Sequence, residues 1–178
     1  MSAAPTNPRA RGTRRAVAAL CAALALASCG FQLRGSQTLP YESVYVNVPR
    51  SSDLRLLLAR TIEMQGNSRV VENPELAQAR LTVTREEREK SILTLDAAGQ
   101  VREFLLRYRI AYVVDDGKGT VLVPEKELAL AREVTFNASL VLAKEFEDEL
   151  LYRDMQRDAA QQIVRRLALA GRGATGQR

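Results

Sequence analysis

VREFLLRYRIAYVV, Val101 to Val114, is the stretch that decides the fold. Phe104, Leu106, Tyr108, Ile110, Tyr112 and Val114 fall on one parity, and Glu103, Arg107 and Arg109 on the other. Successive side chains of a strand point to opposite faces, so this is a long strand with one buried face and one wet face. Turn sequences bound it on both sides. Asp96-Ala97-Ala98-Gly99-Gln100 reads as a hairpin turn leading in, and Asp115 to Gly119 (DDGKG) as a turn leading out.

Beyond these turns the pattern continues. Arg80 to Leu95 is strand-like at both ends, with Leu81, Val83, Leu93 and Leu95 on one parity, while Arg85 to Lys90 is charged at every position. A solvated edge or a protruding hairpin arm would account for that run. Thr120 to Phe136 resumes the strand pattern, and its parity changes around Pro124, which predicts a bulge or an edge position. Ser139 to Ala170 has neither proline nor glycine, and Leu151, Met155, Ala159, Ile163 and Leu167 make an i, i+4 stripe suited to facing a sheet. Upstream, Ser43 to Val48 reads as a strand stopped by Pro49. Leu54, Leu57, Leu58 and Ile62 read as a helix capped by Ser51 or Ser52, and Arg69 to Val71 as a short strand. Strands joined by short turns predict antiparallel pairing. The fold class expected is α+β, a two-layer sandwich with two amphipathic helices on one sheet face.

The first 28 residues stand apart. Arg9, Arg11, Arg14 and Arg15 precede an uncharged apolar run from Ala16 to Ala27, which is too short to span a bilayer. Leu26-Ala27-Ser28-Cys29 resembles a lipobox, so the chain is expected to be cut before Cys29 and lipidated there. Without the leader the charge balance changes: 26 − 4 = 22 basic residues remain against 21 acidic ones. The basic isoelectric point belongs largely to the leader, and no field suited to nucleic acid is left. The organisation expected is a removed signal peptide over 1–28, a lipidated tether over 29–40, one domain over 41–170 and a flexible tail over 171–178.

Several chemistries are excluded. The chain has no histidine, and its two cysteines are Cys21, in the leader, and Cys29. His-dependent nucleophilic catalysis and the common zinc ligand sets are therefore absent. No phosphate-binding glycine loop occurs, and the acidic pairs Glu86/Glu87 and Asp115/Asp116 do not converge on one face. No metal, cofactor or enzyme activity is expected.

Cys29-Gly30-Phe31-Gln32-Leu33-Arg34-Gly35 resembles the opening of the lipopolysaccharide-assembly lipoprotein family LptE, also called RlpB. Leu142-Ala143-Lys144-Glu145, Asp154-Met155 and Gln161 to Leu167 resemble its C-terminal helix. The resemblance implies a mostly antiparallel four-stranded sheet with helices on one face. It also implies residence on the periplasmic side of the outer membrane, a complex with the LptD β-barrel, and a role in delivering lipopolysaccharide to the outer leaflet. It places Lys144 at a basic position linked to lipopolysaccharide binding. A second basic position, near the hairpin tip, is replaced here by Asp96, Ala97 and Ala98, with Arg102 or Lys90 close by.

Arg107 and Arg109 on the wet strand face suit contacts with acidic lipid or a barrel lumen, because guanidinium matches phosphate and carboxylate geometry. Ordinary solvated strand arginines would give the same pattern, so both uses stay open. An unrelated periplasmic lipoprotein that carries lipid or peptide is the alternative, and it would need a ligand-sized apolar cavity. A lipoprotein hydrolase is the weaker rival, for want of a nucleophile–base pair.

Overall fold

The computed structural model describes residues 38–175, and side chains as far as residue 170. The leader, Cys29 and most of the tether lie outside the described residues, as does the end of the tail.

The element order is β1 (Ser43–Asn47), α1 (Asp53–Glu63), β2 (Arg69–Val71), β3 (Ala79–Leu95), β4 (Val101–Asp115), β5 (Val121–Thr135) and α2 (Val141–Thr175). The sheet has five strands in the order β2-β1-β3-β4-β5. It is mixed: β1 runs parallel to both β2 and β3, and only the β3–β4–β5 meander is antiparallel. This corrects the expected four-stranded, mostly antiparallel sheet. The reason lies in the connections. The β1–α1–β2 link is a helical crossover, which returns the chain in the same direction, and β3 then enters on the other side of β1.

Local chemistry fixes the ends of the elements. The Ser52 hydroxyl accepts the Leu54 N–H at 3.1 Å and caps α1. At the β3–β4 turn the Asp96 carboxylate accepts the N–H groups of Ala98 and Gln100, both at 2.9 Å. At the β4–β5 turn Asp116 accepts from Lys118 and Thr120, and these backbone donors hold its carboxyl below the usual range. Gly117 there has φ +72°, a conformation that β-carbons oppose.

The even face of β4 is the floor of the core. Leu106, Tyr108, Ile110, Tyr112 and Val114 are fully buried beneath α2 and α1. Met155, Ala159, Ile163 and Leu167 of the expected stripe are buried, with Leu151 partly so. A second row, Tyr152, Gln156, Ala160, Val164 and Ala168, is buried beside it, so the contact band is wider than one row. Each fully buried Ile, Leu or Met contributes about 1.5–3 kcal/mol by leaving water. Leu54, Leu58 and Ile62 close the core from α1, and Leu39 is also fully buried in it.

Bulges reset the strand parities. β3 shifts register between Val83 and Arg85, so Glu86, Arg88 and Lys90 turn to the helix side while Leu93 and Leu95 end exposed. The shared parity read across Arg80–Leu95 therefore does not hold. The edge reading of its charged run does: β1 pairs with β3 only as far as Thr82, and beyond it β3 has β4 as its one partner. A shift between Tyr112 and Val114 in the β4–β5 pairing corresponds to the expected irregularity around Pro124.

Candidate lipid and partner interface

The sheet face opposite the helices carries Arg107 and Arg109, two residues apart on β4. Arg107 Nη1 lies 3.2 Å from Glu89 Oε1, and Arg109 Nη2 lies 2.9 Å from Glu89 Oε2. One glutamate on β3 thus bridges both guanidinium groups, and each arginine side chain stays about 40% exposed (38% and 40%). On β5 the residues paired with them are Ala131 and Ala129. Small side chains on that flank leave the guanidinium planes uncovered from the β5 side.

Lys144 sits in the first turn of α2, on the other layer of the molecule. Its ammonium lies 2.7 Å from Glu147 Oε2 and 3.4 Å from Thr135 Oγ1, and its side chain is 19% exposed. The structure therefore brings Arg107 and Arg109 together and leaves Lys144 apart from them. All three cations hold carboxylates already. An incoming phosphate would exchange places with a carboxylate, at a net gain smaller than that of an unpaired cation. Of the two basic residues near the hairpin tip, Lys90 is committed: its ammonium pairs with Asp148 and lies 4.3 Å from the Phe104 ring centre. Arg102 is exposed and holds no ion pair among the described residues.

A polar network ties β3 to α2 along the rest of that edge. Tyr108 Oη donates to Glu86 Oε1 at 2.6 Å, and Gln156 Nε2 donates to the same oxygen at 3.3 Å. Tyr152 Oη donates to the Glu89 carbonyl at 2.7 Å, and Arg88 pairs with Glu149 at 3.1 Å. Burial first, and then the Glu86 carboxylate, push the Tyr108 phenol well above its ordinary value. These groups secure the long helix over an unpaired strand edge.

A cleft of about 630 Å³ opens among the start of α1, the β3 edge and α2; Ser52, Asp53, Arg85, Glu86, Arg88 and Glu149 are among its lining residues. Its walls are charged and open, unlike the apolar cavity that a lipid carrier needs. No helix among the described residues is long and apolar enough to cross a membrane. Sequence reasoning passed over one surface. Leu142, Phe146 and Leu150, at i, i+4, i+8 on the outside of α2, are 73%, 74% and 59% exposed. Their i, i+4 spacing is present in the sequence, one helical face away from the buried stripe.

The family model for LptE, lipopolysaccharide-assembly, matches residues 41–167. The chain belongs to this family. Among curated LptE members, LPS-assembly lipoprotein LptE of Yersinia enterocolitica is 31% identical over 157 residues, covering 82% of this chain and 71% of that one. The protein of the same name from Photorhabdus laumondii is 27% identical over 151 residues, covering 82% and 80%. The solution NMR structure of uncharacterized lipoprotein B from Nitrosomonas europaea is 39% identical with a TM-score of 0.68, covering 78% of this chain and 90% of that chain. The crystal structure of rare lipoprotein B from Shewanella oneidensis, 21% identical with a TM-score of 0.66 over 75% and 98%, shares the fold of this LptE-family domain.

Proposed function

We propose that this LptE-family chain is an outer-membrane lipoprotein, freed of residues 1–28 and anchored from the periplasmic side by acyl chains on Cys29. It forms a complex with the LptD β-barrel, and it assists both the assembly of that barrel and the insertion of lipopolysaccharide into the outer leaflet. It acts without catalysis, as a rigid α+β body presenting charged and apolar surfaces to its partners.

The observation that carries this reading is the family match across residues 41–167, nearly the whole folded domain. The surface chemistry is compatible with it. Arg107, Arg109 and Lys144 contact acidic groups of lipopolysaccharide or of the barrel, trading Glu89 and Glu147 for phosphate or partner carboxylates. The packed core and the charged, open cleft speak against the carrier alternative.

Depleting the chain in its native cell tests the reading. Folded LptD in the outer membrane and lipopolysaccharide on the cell surface should both fall. Normal levels of both after depletion would contradict it.

A further inference from the structure

β3 has an open edge. β1 pairs with it only from Ala79 to Thr82. From Val83 to Leu95 it has β4 on one side and, among the described residues, no strand on the other. One side chain of the described residues serves the backbone of this stretch: Tyr152 Oη donates to the Glu89 carbonyl at 2.7 Å, which leaves that oxygen a second lone pair. β5, the outer strand on the far side of the sheet, carries Pro124 in its run and so lacks one N–H. An open strand edge is a template for a further strand.

The charges of this edge select its partner. Arg85 to Lys90 (REEREK) holds three cations and three anions, 3 − 3 = 0. Charge usually keeps strand edges apart, but this run does so only in the wrong registers. Its register on β4 puts Glu86, Arg88 and Lys90 on the helix face and Arg85, Glu87 and Glu89 on the other. Two copies laid antiparallel about Glu87 set Arg85 opposite Glu89 and Glu86 opposite Arg88, each twice and on matching faces. The one like-charge pair is Glu87 with itself, and each Glu87 has Arg85 of its own chain 3.7 Å away. Shifting a copy by two residues either way leaves two opposite-charge pairs. Opposite charges set directly across a strand pair stabilise it, and like charges weaken it.

The cleft beside the edge points to the same occupant. Asp53, Glu86, Arg88, Glu149 and Gln156 line it. Gln156 is 1% exposed; its Nε2 donates to Glu86, while its Oε1 is buried with no hydrogen-bond partner among the described residues. A buried acceptor left unpaired is costly, and it calls for a donor. Glu86 takes the Tyr108 hydroxyl and the Gln156 amide through Oε1. In the pairing about Glu87 the residue opposite Glu86 is Arg88 of the second copy, with the two Cβ atoms about 5 Å apart. A guanidinium has five N–H donors, enough to keep Glu149 of its own chain and to serve Glu86 and Gln156 across the interface.

We infer that two copies of this chain pair antiparallel along the open edge of β3, about a two-fold axis at Glu87, into one continuous sheet in which Arg88 of each copy enters the other's cleft. The interface is narrow and charged, so the dimer is weak and salt-sensitive. It is an association of the chain with itself, independent of the function proposed above.

The test uses the full chain, extracted in detergent and freed of other proteins, with Glu87→Cys as a reporter and Arg85→Glu as a disruptor. Sedimentation should show monomer and dimer in exchange, the dimer growing with chain concentration and fading at high salt. A short thiol-to-thiol linker should join two Glu87→Cys chains through position 87, as peptide mass mapping reads, and should join neither the parent nor an Arg102→Cys control. Arg85→Glu sets an acid against Glu89 of the second copy and should raise the dimer dissociation constant by more than about tenfold. Its melting temperature should stay that of the parent, because the Arg85 side chain is 59% exposed and its ion pair is long. A chain that stays monomeric at every concentration would overturn the inference. So would a dimer that is not linked at 87, or one that Arg85→Glu leaves unchanged, since its interface would lie elsewhere.

Discussion

Tyr108 Oη donates to Glu86 Oε1 at 2.6 Å, so a fully buried aromatic of β4 is tied to the charged half of β3, beyond Thr82, where β3 no longer pairs with β1. The contact sits under α2 and joins the apolar core to the polar edge.

Removing that hydroxyl tests its share of stability. Tyr108→Phe leaves Glu86 with Gln156 alone and should cost about 1.5–3 kcal/mol, the range for a hydrogen bond to a charged group. Tyr108→Asp buries an unpaired charge and should cost several kcal/mol, a large part of a total near 5–15. Urea unfolding of the two variants should rank them in that order. A Tyr108→Asp protein as stable as the parent would mean that this face is not buried.

Alkali should weaken the fold through the same residue. Unfolded tyrosine ionises near pH 10, while burial and Glu86 keep the folded Tyr108 phenol protonated well above that. The folded state then holds the extra proton, so the contribution is fully present below pH 10 and is lost progressively as pH rises beyond it. Tyr41 and Tyr152 are shifted in the same direction, chiefly by burial. Urea midpoints measured between pH 8 and 11 should fall above pH 10, and fall less steeply in Tyr108→Phe. Equal slopes in the two proteins would assign the effect to other groups.

The β4–β5 turn offers a local test. A β-carbon on Gly117 would stand 3.0 Å from Arg80 Nε, the nitrogen that pairs with Asp115 Oδ1 at 2.8 Å, and the residue has φ +72°. Gly117→Ala should therefore cost about 1 kcal/mol or more, a few degrees in melting temperature. An unchanged melting temperature would show that the turn relaxes at no cost.

Binding and stability should separate at the charged surface. Exposed ion pairs contribute less than about 1 kcal/mol each, so Arg107→Gln/Arg109→Gln should melt close to the parent, and Lys144→Gln, at a side chain 19% exposed, should lose somewhat more. Lipopolysaccharide binding or barrel capture should weaken in the same variants, most clearly at low salt, where screening is least. Full retention of both in folded variants would make these residues ordinary surface.

How far the sequence could be read depended on how local each signal was. The alternation from Phe104 to Val114 needs nothing beyond its own strand, and β4 is buried as it predicts. The α2 stripe was equally plain, although Gln156 and Tyr152 concealed its second row, because polar residues there face inward only to meet Glu86 and the Glu89 carbonyl. The sheet's mixed direction was not legible. Whether β1 pairs with β2, β3 or both depends on contacts between Val44 and both Val70 and Ala79, far apart in the chain. Bulges at Val83/Arg85 and near Leu93 broke the parity of β3, and no local residue announced them. At the candidate site, the spacing of Arg107 and Arg109 gave their shared face, but their common partner Glu89 comes from a different strand.

The anchor has its own assay. Intact-mass analysis of the membrane-extracted protein should show a chain starting at Cys29 with added acyl mass, and two or more acyl chains would make the anchoring stable. A different start, or an unmodified thiol, would remove the lipoprotein reading.

The central claim is the complex with the barrel. Affinity purification of the tagged, lipidated chain from detergent-solubilised outer membranes should bring LptD with it in near-equal amount. Recovery of the chain alone from membranes that contain folded LptD would contradict the account.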